Sequence, residues 1–175
     1  NCRDPAVLLR AFDLGINFYD TADCYRHGYN EEMVGKAFKG KRGKIFIQTK
    51  VHAHDEKKMQ ASVERSLRRL QTDYIDVLVW HGHSSPEEVS DPNLFEFMSK
   101  MKKEGKVRFT GFSAHSHMAS LLREAAKSNY HDAALVSYNF THSKDLKEAV
   151  ALAAKSGIGI IAMKTQAGGY KKQKM

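Results

Sequence analysis

Tyr74–His81 reads YIDVLVWH. Apart from Asp76, the run to Trp80 is apolar, β-branched or aromatic. A half-exposed strand would alternate, so this near-continuous run suits a strand buried on both faces, as in a parallel sheet. A polar loop follows it, and then an amphipathic stretch. The same unit recurs on either side. Upstream lie INFYD from Ile16 and KIFIQTK from Lys44; downstream lie VRFTGFS from Val107, ALVSYN from Ala134 and IGIIAMK from Ile158. Successive starts are 28, 30, 33, 27 and 24 residues apart, about the size of a βα unit.

The segments between the strands carry helix signals. Asp55 can cap a helix that presents Met59, Val63, Leu67 and Leu70 on one stripe. Asn30 can cap the stretch bearing Met33, Val34, Ala37 and Phe38, with Gly40 at the stop. Ser143 can cap the helix of Leu146, Val150 and Ala154, and Gly157 ends it. A partial helix from about Pro5 to Leu14 opens the chain. Strict alternation of six strands and six helices means α/β. An open doubly wound sheet and most of a closed barrel both satisfy it. No G-x-G-x-x-G loop follows a strand, which removes support for the dinucleotide-binding doubly wound fold. Residues 1–175 contain no linker or low-complexity segment, so one domain is expected, with a disordered tail over Tyr170–Met175.

At 175 residues and 42% hydrophobic, the chain can bury a core, yet it is short of the roughly 250 residues of a complete (β/α)₈ barrel. It begins at Asn1 rather than Met, so the native start is expected to lie outside this sequence. No apolar run approaches the roughly 20 residues of a membrane span. Two cysteines, Cys2 and Cys24, form no disulfide framework; free thiols in a reducing, cytoplasmic setting are expected. The formal charge of +8 comes from Lys and Arg scattered over helices and turns. That pattern reads as solvated faces and not as a nucleic-acid patch.

In a barrel, function gathers where the strands end. Those ends supply Asp20, with Tyr25 in the loop behind it, then Lys50, then His81. Each alone has an ordinary structural reading: a helix cap, packing, a snorkelling lysine, a core histidine. Together they make a proton donor. Tyrosine is a weak acid near pH 7, and a neighbouring ammonium is expected to lower its pKa. A buried lysine needs a counter-charge, which Asp20 can supply. His81 can hydrogen-bond a carbonyl substrate. This is general acid catalysis in aid of hydride transfer.

Four ordered segments then resemble one family. GINFYDTADCY (residues 15–25), followed by Gly28, Asn30, Glu31 and Gly35, is similar to the first signature of the aldo-keto reductases. IFIQTK ending on Lys50, YIDVLVWHG, and GKVRFTGFSAH are similar to that family's lysine, histidine and serine segments. The resemblance runs from Pro5 to Gly169. It implies a partial (β/α)₈ TIM barrel whose six βα units match the family's strands 2 to 7, lacking the first and last strands. It implies Asp20, Tyr25, Lys50 and His81 as a catalytic tetrad that reduces aldehydes or ketones. It implies NADP(H) or NAD(H) as cofactor, with Asp20, Ser113, Asn139 and Lys164 on the cofactor side. Two positions depart from the pattern: Leu135 stands where a glutamine usually meets the nicotinamide amide, and Met163 where an aromatic often stacks. SPEE after His83, YNF and MKTQAGG resemble the branch that often carries a C-terminal iron–sulfur tail; no cysteine cluster in this sequence could hold one.

Two other readings stay open. Nine histidines include three His-x-His pairs, His52/His54, His81/His83 and His115/His117. Histidines two apart in extended backbone can share a metal, so a metal-dependent barrel hydrolase competes. The plainer expectation is that His52, His54, His83 and His117 are exposed loop histidines, with no metal bound. A non-catalytic, reductase-like subunit is the third reading. In any of them the strands from Ile16 and Ile158 would be apolar sheet edges. They call for a partner: a second copy, another polypeptide, or residues outside this sequence.

Overall fold

The computed structural model describes residues 4–52 and 55–167; His54 and the 170–175 tail therefore lie outside the described residues. Helices and strands alternate as α1 (Pro5–Asp13), β1 (Phe18–Asp20), α2 (Tyr29–Ala37), β2 (Phe46–Val51), α3 (Glu56–Leu70) and β3 (Ile75–Trp80). They continue as α4 (Pro86–Val89), α5 (Pro92–Lys103), β4 (Val107–Ala114), α6 (Met118–Ser128), β5 (Ala133–Ser137), α7 (Lys144–Lys155) and β6 (Gly159–Met163). The sheet order is β1-β2-β3-β4-β5-β6. The pairs β1/β2, β4/β5 and β5/β6 are parallel. A doubly wound sheet reverses direction at a switch point. This order never reverses, which is the winding of consecutive βα units in a (β/α)₈ barrel.

Local chemistry explains most boundaries. The Asp55 carboxylate accepts from the Lys58 N–H and caps α3. Ser143 does the same for α7 through the Leu146 N–H. Asn30 does not cap α2, contrary to expectation. Gly28, at φ 93°, precedes that helix. Asn30 is buried inside it, and its carbonyl oxygen accepts from the Thr21 hydroxyl at 2.8 Å, tying α2 to the loop after β1.

The chain packs as two compact units. The first comprises Asn1–Val79 and Glu96–Phe109. Its core includes Ile47, Val51, Val63, Leu70 and Ile75, each almost fully buried. Tyr19 packs on Phe38 with ring centroids 4.4 Å apart, while its hydroxyl donates to the Ile16 carbonyl at 2.8 Å. Asp76, the polar break in the deciding strand, is 1% exposed. It accepts from Arg42 at 2.6 Å, Arg108 at 2.9 Å and the Ile47 N–H at 2.9 Å. A buried carboxylate is tolerated only when so surrounded.

The second unit comprises Trp80–Phe95 and Thr110–Met175. Phe112, Leu121, Leu122, Ala134 and Val136 fill its core. His131 is buried there, its Nε2 2.7 Å from the Val89 carbonyl oxygen. Burial pushes its pKa below the usual histidine value, against the pull of that hydrogen bond. Among the described residues no helix is long and apolar enough to cross a membrane.

Candidate active site

In the first unit, the register of β1 and β2 places Asp20 opposite Gln48. Strand alternation puts Gln48 and Lys50 on one face. Both reach the same carboxylate oxygen: Gln48 Nε2 donates to Asp20 Oδ1 at 2.6 Å and Lys50 Nζ at 2.5 Å. Lys50 also donates to the Thr21 carbonyl at 2.6 Å. The lysine side chain is 2% exposed and the aspartate 39%, so the pair has one buried end and one open end. Burial lowers the Lys50 pKa; the charge and hydrogen bond of Asp20 push it back up. Asp20 thus offsets part of the burial penalty on the ammonium.

Tyr25 opens a 3₁₀ turn, Tyr25–Gly28, in the loop after β1. That loop is tied to the end of β2 by the Asp23 N–H, which donates to the Lys50 carbonyl at 3.2 Å. Lys50 Nζ stands 4.9 Å from the centre of the Tyr25 ring. The ammonium therefore meets the ring face, a cation–π contact. The expected lowering of the Tyr25 pKa does not occur. Burial, and then the negative charge of Asp20, raise it. The lysine's positive charge is matched by Asp20, whose own charge opposes a phenolate.

Beside Tyr25, Cys24 Sγ lies 3.3 Å from His52 Nε2. Burial, followed by the charge of Asp23, raises the Cys24 thiol's pKa. His52 is exposed, as expected.

In the second unit, His81 follows β3 directly and is half-buried. Gly82, at φ 85°, turns the chain there. Its N–H donates to the Ser113 hydroxyl at 3.0 Å and the Ser113 carbonyl at 3.1 Å, and the His83 N–H reaches that carbonyl at 2.9 Å. The turn folds His83 inward, so the expectation of an exposed His83 is wrong. It is 3% exposed, stacks on Trp80 with ring centroids 6.0 Å apart, and lies tilted against Phe112 at 5.7 Å. His115 and His117 are exposed. The SPEE run acts locally, since Ser85 and Glu88 form a capping box for α4.

The residues assigned to the cofactor differ in what they have left to offer. Ser113 is buried, and its hydroxyl oxygen accepts from Gly82, which leaves its own O–H as a donor. Lys164 is exposed beyond β6, at φ 56°. The amide of Asn139 is engaged at both ends. Its nitrogen donates to the Lys164 carbonyl at 3.1 Å, and its oxygen accepts from the Thr141 N–H and hydroxyl at 3.0 and 2.7 Å. Leu135 is buried within β5.

Sequence reasoning missed Gln48 and Arg69. Gln48 shares the period-two face of Lys50, a signal that was available. Arg69 reads as one more charge on an amphipathic helix, and nothing in the sequence sets it apart.

The family model described as "Aldo/keto reductase family" matches residues 5–175. Among curated proteins, the chain is 36% identical over 121 residues to the oxidoreductase YqkF of Bacillus subtilis, covering 62% of this chain and 39% of that protein. It is 39% identical over 115 residues to methylglyoxal reductase YeaE of Escherichia coli, covering 63% of this chain and 38% of that protein. Among solved structures, the holo form of an aldo-keto reductase from Bacillus halodurans superposes with a TM-score of 0.78 at 30% identity, covering 90% of this chain and 55% of that one. An aldo/keto reductase from Klebsiella pneumoniae, in complex with NADP and acetate, gives a TM-score of 0.80 at 26% identity, covering 97% and 60%. The chain spans about two-fifths of the length of the first curated relatives it matches.

Proposed function

This chain belongs to the aldo/keto reductase family, and from that premise we propose that it reduces aldehydes or ketones to alcohols with NADPH, with Tyr25 as the proton donor. The observation that carries the reading is the Asp20–Lys50 ion pair at 2.5 Å with the Lys50 ammonium over the Tyr25 ring. Three of the four residues expected for the reaction thereby share one unit and one cluster. His81 is the fourth, at the end of the strand that follows.

Each residue has a distinct role. Asp20 keeps Lys50 charged against its burial. Lys50 holds the Tyr25 ring through its face. Tyr25, protonated well into alkaline pH because its pKa is raised, gives its phenolic proton to the carbonyl oxygen as that oxygen gains charge. His81 lies in the second unit, and the family resemblance gives it the hydrogen bond to a carbonyl substrate. The nicotinamide cofactor, when bound, supplies the hydride. Of the residues available to hold it, Lys164 suits a phosphate and the Ser113 hydroxyl suits the nicotinamide amide. Asn139, already bonded at both ends, acts by shaping the backbone at Lys164. The NADP-bound Klebsiella structure favours the phosphorylated cofactor.

β1 and β6 each have a single neighbour in the sheet order of the described residues. Ile16 and Phe18, at 54% and 36% exposure, leave the first of these edges apolar. Both edges are proposed to pair with backbone from outside the six strands. None of the relatives named above supports the metal-hydrolase reading, and the non-catalytic reading rests on no observed feature.

Tyr25→Phe tests the assignment. It removes the acidic proton and keeps the ring under Lys50. In the full-length protein, kcat for carbonyl reduction should fall by about 10² or more, with NADPH affinity near wild type. Unchanged turnover would end the role of Tyr25.

A further inference from the structure

The turn that carries Tyr25 is strained. Arg26 and His27 both adopt left-handed backbone, at φ 53° and 56°, although neither is glycine. Such residues persist only where the surroundings over-determine them. Backbone hydrogen bonds from Tyr25 to Ala22 and from His27 to Cys24 close the turn, and one side chain from α3 spans it. Arg69 Nη1 donates to the Asp23 carbonyl at 3.1 Å and Arg69 Nη2 to the His27 carbonyl at 3.2 Å. These two carbonyls bracket Tyr25, one two residues before it and the other two residues after.

The guanidinium is itself held. Its Nη1 reaches Glu31 Oε2 at 3.3 Å, and Glu31 is 0% exposed. The other oxygen of that carboxylate accepts from Thr49, the neighbour of Lys50 in β2, at 2.7 Å. Burial raises the Glu31 pKa, and its hydrogen bonds with Thr49 and Arg69 oppose that rise. Gly28 completes the cradle. A Cβ added there would collide with Arg69 Cζ, so only glycine lets the guanidinium lie against the turn.

We propose that Arg69 is a positioning residue for the reaction: its planar fork clamps the strained turn at both ends and so fixes Tyr25 relative to Lys50. Resting on the reductase reading, this adds a residue that never touches substrate. A lysine could not replace it, because an ammonium is a point donor without the fork's span. A misplacement of about 1 Å at a proton donor costs about a hundredfold in rate.

The test uses the full-length protein with Arg69→Lys and Arg69→Ala. Both variants should lose about tenfold to a hundredfold in kcat, with KM for NADPH near wild type. Added guanidinium ion should restore part of the rate in Arg69→Ala but not in Arg69→Lys. Amide hydrogen exchange over residues 23–28 should speed up in both variants and stay unchanged in α6 and α7. Wild-type kcat in the variants overturns the proposal, as does a loss that tracks only the unfolded fraction and resists rescue. If the wild-type protein reduces no carbonyl at all, the reductase reading fails by itself. The exchange data then decide: faster exchange at 23–28 keeps Arg69 as the clamp of the turn, and unchanged exchange removes it.

Discussion

Lys50, proposed to hold Tyr25, is buried at a cost to stability. It is 2% exposed, and its counter-charge, Asp20, is 39% exposed and well solvated. Burial lowers its pKa in the folded chain, below the roughly 10.4 of an unfolded lysine. Between those two values the unfolded chain binds more protons, so stability rises with pH. The cost is fully present below the folded pKa and fades as pH approaches about 10.4. Lys50→Met should therefore abolish reduction while leaving Tm at or above the wild-type value at neutral pH, and it should flatten the rise toward alkaline pH. A large drop in Tm would show that the lysine is structural. The Asp20–Lys50 pair was legible because a lysine ending a buried strand must find a carboxylate. The acidity of Tyr25 was not, because its direction is set by burial and by the charge of Asp20, which only the folded chain brings to bear. His83 was misread for a similar reason: a loop histidine becomes a core residue when a positive-φ glycine turns it inward.

At the scale of elements, caps and strands followed from simple signals. Asp55 and Ser143 cap the helices they were expected to cap, since each supplies a side-chain oxygen to an otherwise unpartnered N–H. Asn30 offered the same chemistry, yet the Thr21 hydroxyl claims its oxygen. Only tertiary contact decides between those uses. Asp76 was visible as a break in an apolar run, but its partners come from a 3₁₀ turn before β2 and from β4, far apart in sequence. It joins β2, β3 and β4 through one carboxylate. Asp76→Asn should cost about 3 kcal/mol, the low end for a broken buried pair, because Arg108 is half exposed and can turn to water. Urea unfolding measures this, with the midpoint reduced and the slope unchanged. A loss within about 0.5 kcal/mol, the scale of ordinary surface substitutions, would show that the carboxylate ties nothing together.

For the whole molecule, the regular spacing of apolar runs and the missing glycine-rich loop pointed to sequential winding, and the unbroken strand order bears this out. What spacing could not supply was chemistry. Three strand ends and the loop after β1 offered the proposed tetrad only when taken together, and three of its residues meet within one compact unit. His81, Ser113 and Lys164 lie in the second unit, and the roles proposed for them depend on a cofactor and a substrate. In the proposed reaction a hydride passes from NADPH to a carbonyl carbon while Tyr25 protonates the oxygen. Its most direct test supplies the full-length protein with an aldehyde and NADPH deuterated at the nicotinamide C4, using each of the two C4-labelled forms in turn. With one of the two forms, deuterium should appear on the carbinol carbon of the product alcohol, with one NADP⁺ formed per alcohol. Alcohol free of deuterium with both forms, or no NADPH consumed across a panel of aldehydes and ketones, would contradict it.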